Sequence, residues 1–125
     1  MYFYKVVPIF RFFDIAKVRA FYVDYLGFTV DFEHCFDADA PLYFPVTRGG
    51  CTLHLSEHHG DATPGAHIRV AVSDLDAVHS DLTAKRYAYL RPGIRLQPWG
   101  TRKMTVTDPF CNRLTFVADT PGKSP

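Results

Sequence analysis

Pro98-Trp99-Gly100-Thr101-Arg102-Lys103-Met104-Thr105-Val106-Thr107-Asp108-Pro109-Phe110-Cys111-Asn112-Arg113-Leu114-Thr115-Phe116 is the stretch whose reading decides the fold. Two short runs alternate apolar with polar residues, and between them sits Asp108-Pro109-Phe110-Cys111-Asn112. Proline presets the dihedral of a turn, and asparagine tolerates the left-handed one, so the segment predicts a tight β-hairpin. Outward from this hairpin, the rest of the chain falls into two copies of one pattern.

An apolar run, Val6 to Phe10, precedes Asp14; a second, Ile68 to Val72, precedes Asp74. Each Asp opens a helical pattern and is expected to be its N-cap, accepting from backbone N–H groups that the first turn leaves unpaired. In the first helix Val18, Phe21, Tyr22, Tyr25 and Leu26 recur at helical spacing, and Gly27 closes it. In the second, Leu75, Val78 and Leu82 form a narrower stripe, with Lys85 and Arg86 set against the C-terminal dipole. A strand with Phe28, Val30, Phe32 and Phe36 on one parity follows the first helix. Leu42 to Val46 and Thr52 to Ser56 then make a hairpin around Gly49-Gly50. The expected fold is α+β, two βαβββ modules (5–56 and 67–118) forming curved mixed sheets in one domain, joined by the polar linker 57–66. The tail 119–125 is expected to be loose.

Alternation assigns the faces. In Thr52-Leu53-His54-Leu55-Ser56 the leucines share one face and Thr, His and Ser the other. His67 to Val72 and Arg113 to Phe116 split the same way. Each sheet must bury its apolar face under its helix, which leaves a mixed face to curl into a groove, the default place for a ligand.

Composition narrows the partners. A 125-residue chain that is 47% hydrophobic can build one core without disulfide staples. A net charge of +1 gives no basic stripe, so no nucleic-acid partner is expected. No apolar run is long enough to span a bilayer, and Met1 to Lys5 lacks a signal peptide's apolar core. Cys35, Cys51 and Cys111 are odd in number and have no Cys-x-x-Cys spacing, which points to reduced thiols in a cytoplasmic protein with no membrane partner. There is no Gly-x-Ser-x-Gly elbow and no phosphate-cradling glycine loop. Glu57-His58-His59-Gly60-Asp61 reads as a solvated turn, because neighbouring histidines on an irregular segment share no face.

From about residue 5 to 118 the chain resembles the vicinal-oxygen-chelate superfamily, the glyoxalase/bleomycin-resistance/dioxygenase fold. The resemblance rests on Val7-Pro8-Ile9 before Asp14, Phe21-Tyr22-x-x-Tyr25-Leu26-Gly27-Phe28, Leu53-His54-Leu55-Ser56, and Gln97-Pro98-Trp99-Gly100 ahead of Asp108-Pro109. Pro-Trp-Gly before the closing hairpin is similar to the bleomycin-resistance branch. That branch implies a small homodimer that sequesters bleomycin-type antibiotics, unchanged, in grooves at the subunit interface. In the superfamily's metalloenzymes each half gives two ligands, one on its first strand and one on its last. Those positions fall on Val7, His54, His67 and Thr115. Valine cannot coordinate and a threonine hydroxyl is a poor donor, whereas a catalytic metal needs about three protein ligands. No metal and no other cofactor is therefore expected.

The expectation is a non-catalytic small-molecule-binding protein. The alternative is a metal-dependent lyase or dioxygenase of the same superfamily, using His54, His67 and a further ligand. The candidate ligand-binding residues are Trp99, Phe32, Phe36 and Tyr43, as flat apolar surfaces for an aromatic antibiotic-like ligand, and His54 and His67, as hydrogen-bonding groups. Parity also puts Arg69 and Arg113 on the groove face, which suits an anionic ligand equally.

Overall fold

The computed structural model describes residues 1–33 and 41–118. The elements run β1 (Ile9–Arg11), α1 (Ile15–Arg19), β2 (Thr29–Val30), β3 (Tyr43–Arg48), β4 (Cys51–Ser56), β5 (His67–Ala71), α2 (Leu75–Ala84), β6 (Arg95–Leu96), β7 (Arg102–Thr107) and β8 (Arg113–Ala118). This is βαβββ twice. The two sheets have orders β1-β4-β3-β2 and β5-β8-β7-β6, and in each the first strand lies parallel to the last while the other pairs are antiparallel. The α+β fold with open, mixed sheets stands as the alternation predicts.

Both N-caps form. Asp14 Oδ1 accepts from Lys17 N at 2.9 Å and Asp74 Oδ1 from Ala77 N at 3.0 Å. The first helix departs from a plain α-helix: α1 passes into a π-helical stretch, Ala20–Tyr25, which ends with Leu26 N donating to Phe21 O five residues back. The wider turn carries Phe21, Tyr22 and Tyr25 inward together, and all three are buried. Gly27 leaves the helix at φ +74. Lys85 reaches beyond its own helix to donate to Tyr25 O at 3.1 Å, and Arg48 donates to Leu26 O at 2.6 Å.

The apolar faces bury as their periodicity requires. Phe10, Phe44, Val46, Leu53 and Leu55 of the first sheet, and Met104, Val106, Leu114 and Phe116 of the second, all lie in the core. The second strand is shorter than its alternating pattern: β2 stops at Val30, Phe32 lies past its end and 59% exposed, and Phe36 falls outside the described residues. The tail from 119 also lies outside them.

The closing hairpin is built differently in one respect from the sequence reading. The left-handed residue of its turn is Cys111 (φ 72), not Asn112. Asn112 is fully buried, because its side chain is used elsewhere. Its amide donates to Arg11 O at 2.9 Å and Asp108 Oδ2 at 3.0 Å, and its carbonyl accepts from Gly65 N and Ala66 N, each at 3.2 Å. Asp108 also accepts from Tyr22 Oη at 2.7 Å. The turn thus pins the first strand, the first helix and the 57–66 segment to the second hairpin.

Candidate functional site

Strand register fixes which side chains share each mixed face. On the first sheet Ile9 lies opposite His54, and His54 opposite Pro45; Tyr43 and Thr47 follow on β3, and Thr52 on β4. On the second, Arg69 lies opposite Thr115, and Thr115 opposite Thr105; His67 and Arg113 are paired, and Lys103 faces Arg95. The same topology makes the two faces superimposable position by position. Ile9 corresponds to Arg69, His54 to Thr115, Thr52 to Arg113, Tyr43 to Lys103 and, two residues upstream of the first pair, Val7 to His67.

Two hydroxyl–imidazole contacts sit on these faces. Tyr43 Oη hydrogen-bonds His54 Nδ1 on the first sheet. On the second, His67 Nε2 and Thr115 Oγ1 lie 2.7 Å apart, and Thr115 Oγ1 and Thr105 Oγ1 2.9 Å apart, a chain across three strands. Thr115 is only 2% exposed, so the floor of this face is a buried hydroxyl. Burial first, then the charges of Arg113, Arg69 and Lys103, hold the His67 imidazole below its ordinary pKa of 6.5. At neutral pH its ring is uncharged.

The residues at the positions that the resemblance marks as metal ligands do not fit a metal. Val7 has no donor atom, the Thr115 hydroxyl is held between His67 and Thr105, and one ring nitrogen each of His54 and His67 is engaged by a hydroxyl. Among the described residues no three His, Cys, Asp or Glu side chains gather in a way that would hold an ion. What remains is hydrogen-bonding and aromatic surface.

The structure therefore brings Tyr43 together with His54, and His67 together with Arg69 and Arg113, each group on its own sheet. Trp99 lies outside the strands of both faces. It sits at the tip of the turn between β6 and β7, closed by Gln97 N to Thr101 O at 2.7 Å, and is 59% exposed rather than wedged into the core.

A feature absent from the sequence reading is a cleft of about 1000 Å³ where the two halves meet. Lys5, Val6, Pro8, Leu26, Phe28 and the Arg48–Leu53 end of the first hairpin form one wall. Ile68 to Asp74 with Val78 and Leu82 of α2 form the other, and among the described candidate residues Arg69 is the one that borders it. Its cause is local. The stripe of α2 is narrow, with only Leu75 and Leu82 fully buried, so Ile68, Val70 and Val78 are left partly uncovered. The narrowness of that stripe was the available signal.

Comparison with known proteins follows from this geometry. A family model described as glyoxalase superfamily protein matches residues 1–123. No curated protein matches by sequence. Among solved structures, the chain is similar to a bleomycin-binding protein complexed with bleomycin: 21% identity, TM-score 0.70, covering 94% of this chain and 99% of that one. It is similar to a bleomycin resistance determinant encoded on the transposon Tn5 (22% identity, TM-score 0.72, 94% and 98% covered). It is likewise similar to a glyoxalase-related enzyme from Clostridium phytofermentans (17% identity, TM-score 0.72, 95% and 97% covered). At these identities the likeness is one of fold. No helix among the described residues is long and apolar enough to cross a membrane.

Proposed function

The chain belongs to the glyoxalase superfamily, and from that premise we propose that it is a non-catalytic small-molecule-binding protein, a cytoplasmic homodimer that sequesters an aromatic, antibiotic-like ligand on its mixed sheet faces. The observation that carries the reading is the state of the superfamily's ligand positions. His54 and His67 are tied to hydroxyls, and their partner positions hold Val7 and a buried Thr115. A metal-dependent lyase or dioxygenase needs convergent donors at those positions. A binding protein needs only shape, hydrogen bonds and apolar surface. On this reading Tyr43 and His54 line one groove wall, His67, Arg69 and Arg113 the other, and Phe32, Phe36 and Trp99 supply aromatic cover.

The dimer is part of the proposal. Met1, Tyr2, Phe3, Tyr4 and Val6 are all strongly exposed, and Lys5, Val6 and β5 border the apolar cleft between the halves. β1 and β5 are edge strands with an unpaired side. A second copy covering this region would turn each cleft into an enclosed groove. We take the chain as one domain whose modules, 5–56 and 67–118, act as the two walls with 57–66 as their connector.

Two measurements test this. Light scattering is expected to give twice the 14.2 kDa chain mass, and uncharged planar aromatics are expected to change the fluorescence of Trp99, the sole tryptophan. A monomer mass at every concentration, with no spectral or calorimetric response to any such compound, would overturn the reading. One equivalent of bound divalent metal, lost in His67→Ala, would favour the enzyme instead.

A further inference from the structure

The mixed face of the second sheet carries Arg69 on β5, Arg113 on β8, Lys103 on β7 and Arg95 opposite Lys103 on β6. Between them lie His67, Thr105 and Thr115, and the paired positions of the face include no carboxylate. None of the four cations has an ion-pair partner among the described residues. Among the described residues, the arginine and lysine ion pairs that form use other groups: Arg19 with Glu33, Arg48 and Lys85 with Asp81, and Arg102 with Asp76. Arg102 is instructive, because it neighbours Lys103 on β7 but has the other parity. It is held by both oxygens of Asp76, at 2.7 and 3.0 Å. Cations are neutralised on the helix side of this sheet and left unneutralised on the groove side.

The internal repeat supplies a control. At the corresponding positions of the first sheet, Arg69 becomes Ile9, Arg113 becomes Thr52 and Lys103 becomes Tyr43. The fold alone therefore does not require charge at these three places. Three like charges gathered around a ring that they already disfavour from protonating form an arrangement that an anion would relieve. The face also has what a bound oxyanion needs besides charge. Planar guanidinium groups bind carboxylate or sulfonate oxygens in pairs. The Nδ1 side of His67 faces no partner among the described residues, and the hydroxyl floor at Thr115 is buried.

Size selects among anions. At a strand spacing of about 4.8 Å and a rise of about 3.3 Å per residue, four strands place the cations within about 14 Å across the sheet and, from Arg113 to the level of Lys103, about 13 Å along it. That spans one small molecule. A nucleic acid would need a longer basic stripe and a larger net charge than +1.

We infer that the second sheet's mixed face is an anion subsite built by Arg69, Arg113 and Lys103 over Thr115, and that the sequestered ligand is a small aromatic oxyanion rather than a cationic drug. The inference rests on the small-molecule-binding reading above and names the charge of its ligand.

The test compares three probes of one shape by calorimetry on the intact protein: 2-naphthoate, 2-naphthamide and 2-naphthylmethylammonium. The naphthoate is expected to bind about tenfold more tightly than the amide, the difference that one charge-assisted hydrogen bond provides, and the ammonium more weakly than either. Raising salt from about 0.01 M to about 1 M shortens the screening length from about 30 Å to about 3 Å and should remove most of the preference. The double variant Arg69→Gln, Arg113→Gln should bind naphthoate no better than the amide. Circular dichroism checks that it is folded, and the single variant Arg69→Gln is expected to lose part of the preference if the double variant is not. Equal binding of all three probes overturns the anion subsite and leaves the binding protein standing. A preference that survives the substitutions overturns the residue assignment. Failure of every probe to bind overturns both readings.

Discussion

Asn112 shows how a residue can be read correctly as part of a turn and still be misjudged in its role. Asparagine offers two amide hydrogens and one carbonyl oxygen with two lone pairs, and all four capacities are filled, by Arg11 O, Asp108 Oδ2, Gly65 N and Ala66 N. Asn112→Ala is expected to lower stability by about 3 kcal/mol in urea unfolding, since it strands several buried polar groups together. A change within about 0.5 kcal/mol would show that water replaces the amide. The turn motif was legible because its bonds are local. The bond to Arg11 spans 101 residues, and no short-range pattern encodes it. At His67, which parity places on the mixed face of the second sheet, the physics is electrostatic. Its imidazole is held below 6.5 by burial and by Arg113, Arg69 and Lys103. The unfolded chain therefore binds this proton more readily than the folded one, and stability contributed by the neutral ring is lost as pH falls through about 6.5 toward the lower folded value. Thermal melts of His67→Gln should show a flatter decline than the wild type between about pH 7 and pH 5; identical profiles would assign the acid sensitivity to other groups.

Among the elements, the hairpins and N-caps were readable because alternation and capping act over a few residues, and both Asp caps form where the spacing puts them. The π-helical stretch was not. Its buried set, Phe21, Tyr22 and Tyr25, satisfies helical spacing as well as a wider turn does, and the choice is made by tertiary contacts: Tyr22 Oη on Asp108 and Tyr25 stacked on Tyr87 at 4.5 Å. Where that stretch ends, sequence and structure agree on glycine. At φ +74, a Cβ on Gly27 would lie 3.2 Å from Arg48 Nη1, the group that caps Leu26 O. Gly27→Ala should therefore cost about 1–2 kcal/mol from the left-handed backbone alone, and Arg48→Ala in the same background should add less than it does in the wild type, because the cap is already disturbed. Strictly additive losses would mean that Arg48 does not feel the methyl group.

For the whole molecule, the two halves share a topology and differ in what they leave open. The first half buries the apolar stripe of its helix through Val18 and three aromatic side chains; the second, with its narrow stripe on α2, leaves an apolar cleft bordered by Val6, Phe28, Ile68, Val70 and Val78. Neither the cleft nor the placement of Trp99 at a turn tip was visible in the sequence, since both depend on how two separately predictable units meet. The arm before β1 is the other half of that problem. Tyr2, Phe3 and Tyr4 are each more than three-quarters exposed, with Tyr2 and Tyr4 edge to face at 5.4 Å. Half-burying three such rings on each of two arms removes about 450 Å² of apolar surface, a gain of about 11 kcal/mol. That matches the scale of the entropy lost on association, so in the proposed dimer the arms would decide between paired and single copies. A chain lacking residues 1–4 should remain folded, because those side chains contribute nothing to the core, yet dissociate at concentrations where the full chain stays paired. Sedimentation equilibrium of both chains across a range of concentrations measures this. If the shortened chain pairs as tightly as the full one, the edges of β1 and β5 hold the dimer without the arms; if the full chain itself is monomeric throughout, the groove must bind its ligand with one copy alone.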